Sequence, residues 1–350
     1  MLFRSGCARV VAAHGARFLG VRILSAAEVD AALDDDALIA RLDALFRQGC
    51  EMPPRHHHAI AQAAGPGSAD AMLLLMPAWT KGDAARVGIK LVTVFPDNGR
   101  QGLPAIFGQY VLLDGHTGMP IALLDGTMLT KRRTACASGL ASRYLSRPDS
   151  SRLLMIGTGA LAPHLIRIHS KVRPIRDVMI WGRRPDRAAE LARELASSLP
   201  VSLGRPVDVR AVHDREHAVV AADIISCATL SHTPLIEGQW LRPGQHIDLV
   251  GAYTPHMRES DDDAVRRARI FVDTRAGVLK EGGDVAQPLA RRVISENDVI
   301  GDLFELARGE RAGRSAAETS IITLFKSVGA ALEDLAAAEL AIERVTASRA

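Results

Sequence analysis

The stretch 152–162, RLLMIGTGALA, leaves this chain little choice of local structure. A short apolar run, Leu153-Leu154-Met155-Ile156, ends at Gly157; Gly159 follows two residues later, and Ala162 takes a third small position. Leu161, Leu165 and Ile168 then recur at helical spacing. Strand, tight turn and helix satisfy all of these at once. Gly157 permits the turn, Gly159 lets backbone approach a pyrophosphate, and Ala162 lets the helix sit close on the strand. The helix N-terminus then offers unpaired N–H groups and the positive end of its dipole to phosphates.

Such a turn is common alone, so its setting carries the weight. A second apolar run, 177–182, ends about 25 residues after Gly157, where the second strand of a dinucleotide-binding unit should finish. The chain continues Gly182-Arg183-Arg184-Pro185, with no acid to take a ribose 2′-hydroxyl. Two guanidiniums there favour a 2′-phosphate, hence NADP(H), with NAD(H) still possible. Further strand-like runs at 207–212, 223–228, 246–250 and 270–273, with helical segments at 185–199 and 261–268, extend the unit to a six-stranded doubly wound α/β sheet of Rossmann type.

Upstream, Ser25 and Glu28 form a capping-box pattern that opens an amphipathic helix to about Gln48. The runs 71–77, 87–94, 107–113 and 119–124, with a turn at 114–118, predict a small, largely antiparallel sheet. Lys90 lies inside one of its apolar strands, where desolvation lowers a lysine pKa, and the chain has only six lysines among 43 basic residues. His56-His57-His58 would alternate between the faces of a strand, so no metal site is expected. An alanine-rich helix is expected from 128 to 145. A long helix is expected from 318 to 344, with Gly329 in its interior as a point of close approach.

A net charge of +3 without a basic, aromatic-rich patch argues against nucleic acid as a partner, and no apolar run reaches membrane-spanning length. Cys7, Cys50, Cys136 and Cys227 have neither disulfide-framework nor metal spacing, which suits a reducing, cytoplasmic setting. Residues 1–20, with Arg4, Arg9 and Arg17 and no acid, read as an upstream extension or first strand rather than a targeting segment.

Five segments together resemble the ornithine cyclodeaminase/mu-crystallin family: Gly88-Ile89-Lys90, Gly102-Leu103-Pro104, the segment 129–135 (LTKRRTA), Ile156-Gly157-Thr158-Gly159-Ala160 and the segment 324–334 (LFKSVGAALED). The resemblance implies a substrate-binding and dimerisation domain, 22–128 completed by 315–350, beside a Rossmann NAD(P) domain at 129–314, paired into a homodimer. It implies that Arg55, Lys90 and Arg133 hold the carboxylate of a small imino or amino acid, and that Lys90 handles the proton in catalysis. Val328 and Gly329 would lie against the nicotinamide and substrate. The cofactor would touch Gly157, Thr158, Gly159, Ala160, Leu161, Arg133, Arg183 and Arg184, with Cys227, Val250, Gly251, Ala252 and Ser327 at the strand ends. Cyclodeaminases place an aspartate where this chain has Tyr253 and a glutamate where it has Leu74, both serving a distal amine. The resemblance therefore points to reduction of a cyclic ketimine, 1-pyrroline-2-carboxylate or 1-piperideine-2-carboxylate, to proline or pipecolate. Ornithine cyclodeamination, alanine dehydrogenation and a non-catalytic, crystallin-like binding role are the alternatives.

Overall fold

The computed structural model describes residues 20–61 and 70–347, so the basic N-terminal stretch up to residue 19 lies outside the described residues. The chain divides into two compact units. The first comprises the described residues of 20–33, 50–129 and 338–347. Its sheet holds β1 (Arg22–Leu24), β2 (His56–Ile60), β3 (Ala71–Trp79), β4 (Arg86–Val94), β5 (Ile106–Asp114) and β6 (Pro120–Asp125), in the order β1-β6-β5-β4-β3-β2. Neighbours from β2 to β6 run antiparallel, and β1 joins β6 in parallel. The expected turn forms where the Asp114 carboxylate accepts from the His116 and Thr117 amides and the Thr117 hydroxyl, and Gly118 takes a φ of +69°.

Alternation sorts the side chains of this sheet. Leu24, Met76, Ala78, Tyr110, Leu112, Ala122 and Leu124 are buried with Val29 and Leu33, which flank or belong to helix α1 (Ala26–Ala32). The opposite face is apolar and open: Ile23 is 75% exposed, Phe107 47% and Leu123 36%. The capping box forms as expected, with Ser25 and Glu28 exchanging hydrogen bonds. The helix expected to run on to Gln48 instead breaks, because Asp34 caps a new one, α2 (Asp35–Gln48), by accepting from the Ala37 amide.

The second unit, 34–49 and 130–337, contains an all-parallel sheet. Its strands are β7 (Arg152–Ile156), β8 (Asp177–Trp181), β9 (Asp208–Ala211), β10 (Ile224–Cys227), β11 (His246–Leu249), β12 (Arg269–Val272), β13 (Val299–Asp302) and β14 (Thr323–Lys326). They lie in the order β13-β12-β14-β11-β10-β7-β8-β9. The strands stay parallel, but the order in which they are added reverses between β7 and β10, the switch point at which open α/β sheets bind ligands. The central strands are buried end to end, as continuous apolar runs in parallel sheets are.

Several expectations are corrected here. The sheet has eight strands, not six, and residues 323–326 are one of them, inserted between β11 and β12. The expected helix over 318–344 is therefore a strand, a short connection and helix α11 (Ala331–Ala347). A four-residue apolar strand followed by Val328 fits helical spacing as well as extended spacing, and sheet pairing decides between them. Gly329 accordingly sits in the connection with φ +80°, not inside a helix. The expected domain boundary at 314/315 falls before β14, yet β14 belongs to the parallel sheet, and α2 joins the same unit through Phe46 packed edge-on against Phe304 at 5.1 Å.

Candidate nucleotide cleft and substrate-side residues

The glycine turn lies at the C-terminal end of β7. Gly157 has φ +119°, and a side chain there would meet the Ala228 carbonyl oxygen at 2.6 Å, so both backbone angle and space demand glycine. Nothing lies within 4 Å of where a Gly159 side chain would project, which leaves its backbone open to a ligand. Ala162 is fully buried where helix α4 (Ala162–Val172) meets the sheet. That helix begins Ala162-Pro163 with no acid in its first turn, so its amide dipoles are uncompensated. Gly157, Thr158 and Gly159 line a cleft of about 420 Å³ together with Trp181, Gly182, Arg183, Arg184 and the segment 228–231. The fit to a dinucleotide is local and specific: a glycine cradle, a helix N-terminus, and exposed guanidiniums at the end of β8.

Ala160 and Leu161 follow the cradle without lining the cleft. Cys227 is buried beneath it, and burial together with Glu259 raises its thiol pKa. Thr229, Leu230, Ser231 and Leu235 form that wall instead and lie beyond the expected cofactor residue, which is the last residue of β10. Val250, Gly251 and Ala252 are buried at the end of β11. Trp181 also carries the Arg215 guanidinium over its ring at 5.0 Å, and Arg215 lies 5.3 Å from the Trp240 ring as well.

At the end of β14 one carboxylate organises the connection to α11. Asp273 Oδ2 accepts from the Ser327 hydroxyl at 2.9 Å and from the Val328 and Gly329 amides at 2.8 and 2.6 Å. Arg133, on helix α3 (Gly126–Leu145), lies over Gly329, where a side chain would come within 2.6 Å of Nη1. Its Nη1 donates to Glu333 at 2.5 Å and its Nε to Asp334 at 2.9 Å, while Nη2 makes no hydrogen bond among the described residues. Burial works against the Arg133 charge, but Asp334 and Glu333 outweigh it and hold its pKa above the ordinary value. Burial pushes the Glu333 carboxyl up to about 7 against the pull of Arg133, with Asp273 adding to the rise. Nothing local in the segment 324–334 marks Glu333 and Asp334 as partners of an arginine some 200 residues earlier.

In the first unit, Lys90 is 2% exposed and pairs across the sheet with Met76 on β3 and Tyr110 on β5. His56 pairs with Leu75, so half-buried Arg55, one residue earlier, falls in line with Met76 and Lys90. Leu74 lies on the same face, two residues from Met76 along β3. His56 and His58 share a face, stacked at 6.1 Å and exposed. In the second unit Tyr253 is 37% exposed in the loop after β11.

The model of the ornithine cyclodeaminase/mu-crystallin family matches residues 22–349. The chain is 43% identical to Protein SAR DEFICIENT 4 of Arabidopsis thaliana over 79% of its length and 84% of the relative's. It is 37% identical to a Delta(1)-pyrroline-2-carboxylate reductase of Colwellia psychrerythraea, covering 93% of this chain and 99% of that one. Among solved structures, the Thermococcus litoralis Delta(1)-pyrroline-2-carboxylate reductase in complex with NADH and L-proline superposes with a TM-score of 0.84 at 31% identity, covering 94% of this chain and 98% of the other. Family-model coverage, relatives and fold agree: this chain belongs to the ornithine cyclodeaminase/mu-crystallin family.

Proposed function

We propose that this protein is a nicotinamide-dependent reductase of cyclic ketimine carboxylates, converting 1-pyrroline-2-carboxylate or 1-piperideine-2-carboxylate to L-proline or L-pipecolate. The observation that carries the reading is the near full-length similarity to a reductase named for the first of these substrates. A bound reduced nicotinamide supplies a hydride to the imine carbon. The chain supplies the rest. Arg55 and Nη2 of Arg133 offer planar donors to the substrate carboxylate. Lys90 gives its proton to the ring nitrogen, and its buried strand position keeps competing water away. Leu74 and Tyr253 present no carboxylate for a distal ammonium, which disfavours ornithine. Arg183 and Arg184, exposed at the end of β8, favour NADPH over NADH. The open apolar face with Ile23, Phe107 and Leu123 is suited to a second copy of the chain, giving a homodimer. Cys50, Cys136 and Cys227 are free thiols, which fits a reducing cytoplasmic setting.

One experiment tests the chemistry and the cofactor together. Oxidation of NADPH and NADH is followed with pyrroline-2-carboxylate, piperideine-2-carboxylate and pyruvate plus ammonia, and NAD reduction with ornithine. Ketimine reduction should dominate, with NADPH preferred. Changing Arg183 and Arg184 together to alanine should raise the KM for NADPH by tenfold or more and leave that for NADH nearly unchanged, since each charge-assisted contact contributes about 1.5–3 kcal/mol. Ammonia release from ornithine at a rival rate would favour the cyclodeaminase reading. Nucleotide binding without turnover on any substrate would favour a binding protein.

A further inference from the structure

Under the wall of the nucleotide cleft three charged side chains, Glu259, Asp284 and Lys326, are all fully buried. Glu259 stands at their centre. Its Oε1 accepts from the Thr229 amide at 2.7 Å and the Thr229 hydroxyl at 3.0 Å, and its Oε2 from the Gly251 and Ala252 amides at 2.8 and 3.1 Å. Its main-chain oxygen accepts in turn from the amides of Leu235 and Ile236, at 2.8 and 2.9 Å. Thr229 and Leu235 line the cleft; Glu259 does not. One residue therefore holds two separate pieces of the wall, one through its side chain and one through its backbone.

The rest of the cluster keeps that carboxylate in place. Lys326 Nζ lies 3.1 Å from Asp284 Oδ2 and 3.9 Å from Glu259 Oε2, and Asp284 Oδ1 accepts from the amides of Glu259 and Ser260 at 2.7 and 2.9 Å. Burial pushes the Glu259 carboxyl up to about 7, opposed first by Lys326. Three of the four groups aimed at its two oxygens are backbone amides, which can only donate, and with Lys326 they favour the anion against that rise. The loops it joins are in backbone contact: a side chain at Gly251 would lie 2.0 Å from the Thr229 nitrogen. The last strand hydrogen bond, from the Val250 amide to the Cys227 carbonyl, lies just before them, and beyond it the Glu259 carboxylate is what ties Thr229 to the 251–252 turn.

We infer that Glu259 is a positioning residue whose carboxylate, clamping Thr229 to the 251–252 turn, fixes the shape of the nucleotide cleft and so its affinity for the cofactor. The inference rests on the cleft being the nicotinamide-nucleotide site. Glu259→Gln tests it. Glutamine keeps the volume but turns an NH₂ group toward two of the four donors, while the Lys326–Asp284 pair remains and stays charge-balanced. In the full-length protein, direct titration with NADPH and NADH should show affinity falling at least tenfold. The cofactor KM should rise in step, kcat at saturating cofactor should stay within threefold of wild type, and the nucleotide-free thermal midpoint should move by only a few degrees. Affinity within twofold of wild type overturns the inference. So does a lower kcat at unchanged KM, the mark of a merely less folded sample. Wild-type protein that binds neither nucleotide removes the cleft reading itself, and this inference with it. If Glu259→Gln does not fold, Glu259→Asp keeps the charge, shortens its reach by one methylene, and is judged by the same affinity criteria.

Discussion

The two sheets bury charge in different ways. In the eight-stranded sheet, several buried carboxylates each gather a set of donors beneath or beside the strand ends. Asp248 accepts from Ser138, His169 and Ser226, Asp273 holds the 327–329 connection, and Glu259 holds the cleft wall. In the six-stranded sheet, the buried row that crosses the strands reads Met76, Lys90, Tyr110 and Leu124, with one charged residue among them. Carboxylates that each collect three or four donors fix loops, and exchanging them loosens a shape. On the proposed reading the first sheet serves the substrate and the second the nucleotide, and that division can be broken experimentally.

Lys90→Met is the strongest blow to it. Methionine matches the length of the lysine stem and removes the ammonium group. Turnover of the ketimine should fall about a thousandfold, within the range for a lost general acid. NADPH affinity, measured by titration, should stay within twofold of wild type. Equal losses in turnover and cofactor affinity would show that the two sheets do not divide the work, and full activity would remove Lys90 from the chemistry.

What was legible in the sequence follows the same division. The glycine turn could be read because its whole logic lies within 152–162, and the structure gives Gly157 and Gly159 separate physical reasons to be glycine. Lys90 stood out because one charge in an apolar strand is itself a local signal. The clamps were not legible. Glu259 reaches back 30 residues to Thr229, and Arg133 meets Glu333 and Asp334 some 200 residues later, and no local pattern reports such pairings. Cys227 was expected at the cofactor, but the strand ends there with that side chain fully buried, and the four residues after it, 228–231, line the cleft. β14 was missed because four residues carry too little periodicity to oppose a helical reading.

The open face of the six-stranded sheet gives a second test of intermediate size. Ile23 and Leu123 are cross-strand partners, and Leu123 also pairs with Val111. Leu123→Asp sets an unpaired carboxylate into this apolar row. In the proposed homodimer it should weaken self-association at least a hundredfold, about 3 kcal/mol. Sedimentation of wild type and variant at micromolar concentration reads this directly. A wild-type monomer would mean that something other than a second copy covers the face.

The smallest effect concerns a buried group that does no proposed chemistry and belongs wholly to the eight-stranded sheet. His246 is fully buried, with Nδ1 3.0 Å from the Thr323 hydroxyl. That hydroxyl donates to the Leu145 carbonyl at 2.9 Å, so Nδ1 carries the proton and donates, which leaves Nε2 bare. Nε2 has no hydrogen-bond partner among the described residues, so a second proton there would find no acceptor. Burial accordingly pulls the His246 pKa down to about 3. The native protein keeps the ring neutral while the unfolded chain takes up a proton below about 6.5, so stability falls as pH drops from about 6.5 toward 3. Between pH 7.5 and pH 5.5 the loss from this one group is about 1.4 kcal/mol. His246→Asn keeps a donor for Thr323 and cannot titrate. Urea unfolding of both proteins at the two pH values should show wild type losing about 1.4 kcal/mol more than the variant. Parallel losses would mean that His246 is protonated in the native state, and its bare Nε2 would then need an acceptor that this packing does not provide.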